Sequence, residues 1–305
     1  MKAIRIHSYG HSDQMKLEET PRPAIRQDEA LIRIRAAGVN PVDWKIREGF
    51  LKDIQRASFP LTLGQDFAGE IVEVGKDIRD FKVGDKVFGF ASGAYAEYTT
   101  LSARELVRMP ASTDAATAAS LPTPGLTAFQ LIVDVVQATP NLRILIHGAA
   151  GGVGSIAVQL ARSKGALVSA TASALDIPYL QSLGATQIID YRSERFEQKL
   201  KDMDAVIDLI GGETLARSYP VLKPGGIIVS AVAKPDDAEL QKRNLRGQSF
   251  VMKRDPSQLV QLAALVDQGV VKPKVSQVLP LSDAPRAHEL SQKGKSKGKI
   301  VLQVA

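Results

Sequence analysis

The segment that promises most chemistry is Ile144-Leu145-Ile146-His147-Gly148-Ala149-Ala150-Gly151-Gly152-Val153-Gly154-Ser155. An apolar run leads into a cluster of small residues, and a helical pattern follows. In the G-x-G-x-x-G register the first position is Ala149, and Gly151 and Gly154 fill the second and third. Glycine at the second lets the backbone come close to a pyrophosphate. Glycine at the third lets a helix pack tightly on a strand. The helix N-terminus then turns its unpaired N–H groups and its dipole toward the phosphates. Ala150, Gly151, Gly152, Val153 and Gly154 are therefore the candidate cradle for a dinucleotide.

The choice of dinucleotide is read about 20 residues further on, at the end of the next strand. An Asp or Glu there accepts from the ribose 2′-OH of NAD(H). Here the chain reads Ala170-Thr171-Ala172-Ser173-Ala174, and the first acid is Asp176. Small hydroxyl residues leave room for a 2′-phosphate, so the pattern favours NADPH. Ser173 is the first candidate contact and Thr171 stands beside it. Ser173 is also suited to cap the following helix, and the two roles can coexist.

These residues need elements to hold them. From Leu142 onward, strand runs at 144–146, 167–170, 188–189, 205–209 and 226–230 alternate with helical patterns at 155–164 and 176–183. That βαβα order predicts a doubly wound parallel sheet with helices on both faces. The earlier part differs. Alternating runs at 30–35, 69–75, 82–89 and 95–99, with Gly and Pro between them, predict a mostly antiparallel β domain up to about residue 120. Leu121-Pro122-Thr123-Pro124-Gly125 breaks the pattern. Beyond residue 250 come a helix at 258–268, a strand at 277–279, a helix at 284–292 and a strand at 299–304, which can return to the first domain. The expected fold is α/β, with residues 1–121 joined by 251–305 and a Rossmann-type domain at 122–250.

Composition narrows the function. The 305 residues include no cysteine, which removes Cys-based zinc sites, iron–sulfur clusters and thiol nucleophiles together. The net charge of +6 is a mild bias, and 5% aromatics is too few for a base-stacking platform, so no nucleic acid partner is expected. The basic runs 242–246 and 293–299 could meet an anionic ligand or lie solvated. No apolar stretch approaches the roughly 18 residues of a membrane span. The N-terminus is broken by charges, and a cytoplasmic protein is expected. His7, His11, His147 and His288 show no ligand spacing.

Several ordered segments together carry a resemblance. They are Ala36-Ala37-Gly38-Val39-Asn40-Pro41-Val42-Asp43-Trp44-Lys45, Leu63-Gly64-Gln65-Asp66-Phe67-Ala68-Gly69-Glu70-Ile71-Val72, Phe81-Lys82-Val83-Gly84-Asp85-Lys86-Val87, Leu121-Pro122-Thr123-Pro124-Gly125-Leu126-Thr127-Ala128, the glycine loop, and Gly298-Lys299-Ile300-Val301-Leu302. The chain resembles the medium-chain dehydrogenase/reductase superfamily, in its zinc-independent quinone oxidoreductase branch. The resemblance implies a GroES-like catalytic domain, a Rossmann domain and a cleft between them. Dimers are common in the family, which leaves a homodimer open. Zinc members carry Cys where Asn40 stands and Gly-His-Glu where Gly64-Gln65-Asp66 stand, so no metal is expected.

The resemblance then implies hydride transfer from NADPH to a small-molecule acceptor, a quinone or an α,β-unsaturated carbonyl. Asn40, Asp43 and Lys45 follow the strand at 30–35, where the family lines its cleft. Asn40 would donate to the substrate oxygen or hold the nicotinamide ribose. Lys45 would offer charge to an enolate or lie solvated, and Asp43 would orient either one or cap the turn after Pro41. Gln65 and Asp66 fit a structural loop. By family position, Thr127 falls near the nicotinamide or its phosphates, or is a helix first-turn hydroxyl. Tyr191 falls near the adenosine phosphate, or is a rim aromatic. Lys297 falls at the cofactor end of the cleft, or is tail charge. An enoyl-thioester reductase and a non-catalytic NADPH-binding redox sensor are the alternatives.

Overall fold

The computed structural model describes residues 1–54, 58–294 and 298–304. The chain divides into two compact units. One is Met1–Thr123 with Arg254–Gln268 and Pro273–Ala305, and the other is Pro124–Lys253 with Gly269–Lys272.

The first unit is organised on β1, Glu29–Val39. Arg33 and Arg35 alternate with buried Ile32 and Ile34, and then Ala36-Ala37-Gly38-Val39 are all buried. A strand that alternates in its middle and is then continuously buried has one face covered there and both covered at its end. The antiparallel partner β2, Asp66–Val74, sets Asp66 opposite Gly38. On β1's other edge lie Tyr98–Ser102 and the terminal strand Lys299–Gln303, which sets Ile300 opposite Val39. Lys86–Phe90 and Val107–Arg108 continue the sheet beyond β2, and Val275–Pro280 beyond the terminal strand. Ile32, Ile34, Phe67, Ile71, Ala284, Ala287 and Leu302 belong to the core beneath. β1 stops at Asn40 because Pro41 is well suited to a helix's first turn, and α1 runs Pro41–Arg47.

In the second unit, β3 is Arg143–Ile146, α2 is Gly152–Ser163 and β4 is Leu167–Ala172. Six parallel strands lie in the order Gln187–Asp190, β4, β3, Met203–Asp208, Leu222–Ser230 and Arg246–Ser249. Numbered along the chain within this unit, that order is 3-2-1-4-5-6, the Rossmann order. α2 is buried continuously from Gly154 to Ala161, which its run Ile156-Ala157-Val158-Gln159-Leu160-Ala161 allows. The strand Arg246–Ser249 was not legible in the sequence. Its four residues are exposed, and it exists through pairing on the edge of Leu222–Ser230. The basic run beside it is partly neutralised, with Lys242 and Arg243 both paired to Glu239. Among the described residues no helix is long and apolar enough to cross a membrane.

Candidate functional site

The sheet order of the second unit reverses between β3 and Met203–Asp208. Ligands of such sheets bind outside the carboxyl ends of the strands at that reversal. The glycine loop is the connection leaving β3 there. Gly148 turns the chain at φ +69°, so the turning glycine lies one residue before the Ala149 of the sequence register. A Cβ on Gly154 would lie 2.4 Å from Gly148 O and 2.6 Å from Ala149 Cα, so only glycine lets α2 start this close to the loop. Gly151 is the N-cap of α2, and Gly152 and Val153 open its first turn. Ala150, Gly151, Gly152 and Val153 are all partly exposed, which leaves the loop's backbone reachable. Across the reversal, Asp208 accepts from the N–H groups of Ile210 and Gly211 and from Ser230 Oγ, which fixes the facing loop. These residues fit a dinucleotide.

Sequence reasoning placed Thr171 and Ser173 at the ribose, and both hydroxyls are engaged by protein. Thr171 Oγ1 lies 2.9 Å from His147 Nδ1, and His147 Nε2 lies 3.0 Å from Ser218 Oγ. Ser218 spends its own proton on Thr214 O, so Nε2 donates and Nδ1 accepts from Thr171. Burial holds the His147 pKa down to about 4, against the pull of Asp208. Ser173 Oγ donates to Asp176 Oδ2 at 2.5 Å at the start of a short 3₁₀ turn. Tyr191 N donates to Ala172 O at 3.1 Å, which brings the ring to the same corner as Ser173. Tyr191 is 55% exposed, and the Arg192 guanidinium lies 5.8 Å from its ring centre. The sequence had not singled out Arg192. Thr127 is buried in the helix Pro122–Phe129. Lys297 lies outside the described residues.

In the first unit, Asn40, Asp43 and Lys45 have different surroundings. Asp43 Oδ2 accepts from Asn40 N at 2.7 Å, which closes the first turn of α1. The same oxygen accepts from Tyr95 Oη at 3.0 Å. Burial lifts the Asp43 pKa to about 7, with nearby Asp66 adding to the rise and Lys299 opposing it. Asn40 Oδ1 accepts from Lys299 Nζ at 2.5 Å, and that ammonium also donates to Val39 O. Burial pushes the Lys299 pKa down, while Asp66 and Asp43 support its charge. Asp66 accepts from Thr123 N at 3.0 Å and from Thr123 Oγ1 at 2.6 Å. Lys45 is partly exposed, with its ammonium 5.7 Å from the Trp44 ring centre.

The network runs on behind Tyr95. Arg47 can only donate, so His288 Nδ1 accepts from Arg47 Nη1 at 3.3 Å. His288 Nε2 then donates to Tyr95 Oη at 3.2 Å. Burial and the Arg47 charge hold the His288 pKa at about 3, so the ring stays neutral. Four buried side chains thus pass hydrogen bonds in one direction, from Arg47 through His288 and Tyr95 to Asp43. Sequence reading left Tyr95, His288 and Arg47 without a role.

A zinc ion does not fit this centre. Gln65 Oε1 is taken by Arg254 Nη2 at 2.8 Å, and the Asp66 carboxylate is held by Thr123. Cysteine is absent, and among the described residues no three His, Cys, Asp or Glu cluster as metal ligands.

Residues 26–111 match the alcohol dehydrogenase GroES-like domain, and residues 183–302 match a family described as zinc-binding dehydrogenase. The 2-methylene-furan-3-one reductase of Solanum lycopersicum is 34% identical over 99% of this chain and 79% of its own length. The quinone oxidoreductase of Coxiella burnetii is 36% identical, with a TM-score of 0.91 over 100% of this chain and 99% of that one. The quinone oxidoreductase of Escherichia coli, solved with NADPH, is 28% identical, with a TM-score of 0.89 over 100% of both chains. The chain belongs to the medium-chain dehydrogenase/reductase superfamily, in its quinone oxidoreductase branch, and is an NAD(P)H-dependent oxidoreductase.

Proposed function

We propose that this enzyme transfers a hydride from NADPH to a quinone or an α,β-unsaturated carbonyl, without a metal. The observation that carries the reading is the glycine loop at the reversal of a 3-2-1-4-5-6 sheet. Bound NADPH supplies the hydride. Gly151, Gly152 and Val153 would receive the pyrophosphate on backbone N–H groups. The Coxiella and tomato relatives are named for a quinone and an enone, the acceptor class in which charge gained by carbon delocalises onto oxygen.

Three features favour NADPH over NADH. The Escherichia coli relative was solved with NADPH. The first carboxylate after β4, Asp176, is nearly buried and tied to Ser173. Arg192, exposed beside Tyr191, supplies a cation at the corner where a 2′-phosphate would sit. In this reading Tyr191 and Arg192 flank the phosphate, and Ser173 holds the turn.

In the first unit, Asn40 and Lys45 are the groups proposed to meet the acceptor or the nicotinamide ribose. Asp43 acts one step back, because the side chain is buried and its Oδ2 is spent on the Asn40 backbone and on Tyr95. The protein's contribution is placement and donors aimed at the oxygen that gains charge.

The test is NADPH consumption against a panel of quinones, enals and enones, with NADH in parallel. Fast, NADPH-selective turnover of one acceptor class is expected. Tight NADPH binding with slow oxidation by every acceptor overturns the reading.

A further inference from the structure

We propose that Arg254 receives the negative charge that builds on the acceptor's oxygen, with Gln65 and Phe90 holding its guanidinium in place. This rests on the reductase reading above.

Arg254 precedes Asp255, which caps the helix Pro256–Asp267 through the N–H groups of Ser257 and Gln258. The backbone at Arg254 is therefore anchored, while its side chain is exposed. The guanidinium lies 5.1 Å from the Phe90 ring centre, and Nη2 donates to Gln65 Oε1 at 2.8 Å. A ring face and one amide oxygen orient the fork without neutralising it. Among the described residues no carboxylate pairs with it.

The parts that hold Arg254 are continuous with the Asn40 centre. Phe90 lies opposite Asp66 in the sheet, and Ala91 N donates to Gln65 O. Gly93 N and Ala94 N both donate to Gly64 O. Asp66, next to Gln65, interacts with the Asn40 side chain. Arg254 also lines a groove of 290 Å3 with Thr62, Phe90, Ser92, Gly93 and the carboxylate of Glu105, and among the described residues no other basic side chain lines it. A held cation with no carboxylate paired to it, in the lining of a polar groove, is suited to an oxygen that becomes anionic.

The reaction balances with what is named. A C–H bond of the reduced nicotinamide breaks, and a C–H bond forms at the acceptor's electron-poor carbon. The displaced π pair moves to oxygen, and water supplies the proton that completes the two-electron reduction. Arg254 would act at the stage when oxygen carries the pair, through its Nη1 and Nε hydrogens.

The experiment compares wild type, Arg254→Gln and Arg254→Lys with p-benzoquinone and with 3-penten-2-one, alongside NADPH binding by fluorescence. Arg254→Gln is expected to lower kcat/KM about 100-fold, with the larger loss on the less electron-poor enone. Arg254→Lys recovers part of it, since a point charge lacks the fork. The NADPH dissociation constant is expected to stay within about twofold. A folded Arg254→Gln enzyme with wild-type kcat/KM on both acceptors overturns the proposal and leaves the reductase reading standing. A wild-type enzyme that reduces neither acceptor overturns both. If Arg254→Gln does not fold, Gln65→Ala carries the test. Releasing the fork should then cost about tenfold on the enone, and wild-type kcat/KM there overturns the proposal.

Discussion

Tyr95 Oη donates to Asp43 Oδ2 at 3.0 Å, and neither side chain is more than 1% exposed. Tyr95→Phe removes one of the two donors that reach this oxygen and leaves His288 Nε2 without its acceptor. Groups buried without a partner cost about 1–3 kcal/mol. The variant is expected to unfold at lower urea, with NADPH affinity intact because the glycine loop belongs to the other unit. An unchanged urea midpoint would show that the network adds nothing to stability.

Asp43 also sets a pH dependence of stability. Its folded pKa of about 7 is raised above the carboxylate's ordinary 3.8, mainly by burial. Between those values the folded state holds a proton that the unfolded state has lost. This group's stabilising share is therefore full below the unfolded pKa and lost as pH rises through 7. His288 and His147 act oppositely, since burial keeps both neutral and their share is lost as pH falls below about 6.5. The isolating measurement is the difference in unfolding free energy between wild type and Asp43→Asn across pH 5 to 8. That difference is expected to shift against wild type as pH rises, and a flat difference refutes the assignment.

Two glycines of one loop should fail in different ways. Gly154→Ala drives a methyl into the backbone of Gly148 and Ala149, so it is expected to cost about 1–3 kcal/mol of stability along with affinity. Gly151 has φ −76° and a nearest neighbour, Gly148 O, at 3.3 Å from a built Cβ. Gly151→Ala is therefore expected to melt close to wild type while NADPH binding weakens about tenfold or more. Melting curves and a fluorescence titration read the two effects. Wild-type affinity in Gly151→Ala would mean the pyrophosphate lies elsewhere.

The sequence was most legible where neighbours in space are neighbours along the chain. β3, the loop and α2 form within about twenty residues, so period and glycine spacing exposed them. Asn40 and Asp43 were visible as a pair, but their partners were not. Tyr95 and His288 are 193 residues apart, and Lys299 and Asn40 are 259 apart. No local pattern announces such contacts. Ser173 shows the converse limit. Its type allowed a phosphate contact or a cap, and only the 2.5 Å bond to Asp176 shows where its proton goes. Arg192 and Arg254 read as ordinary surface charge because a stacked ring or an amide partner leaves no mark in spacing.

The pairing of β1 with Lys299–Gln303 bears on how the chain is made. During synthesis the second unit emerges almost whole, as Pro124–Lys253, and can settle its sheet from nearby strands. The edge of β1 at Ala36–Val39 must meanwhile wait until Lys299–Gln303 leaves the ribosome. For that interval the nascent protein carries a small-residue, apolar strand edge with open N–H and C=O groups, a template for unwanted pairing. Lys299, which fastens the late strand to Val39 and Asn40, is thus also the latch that ends the vulnerable period.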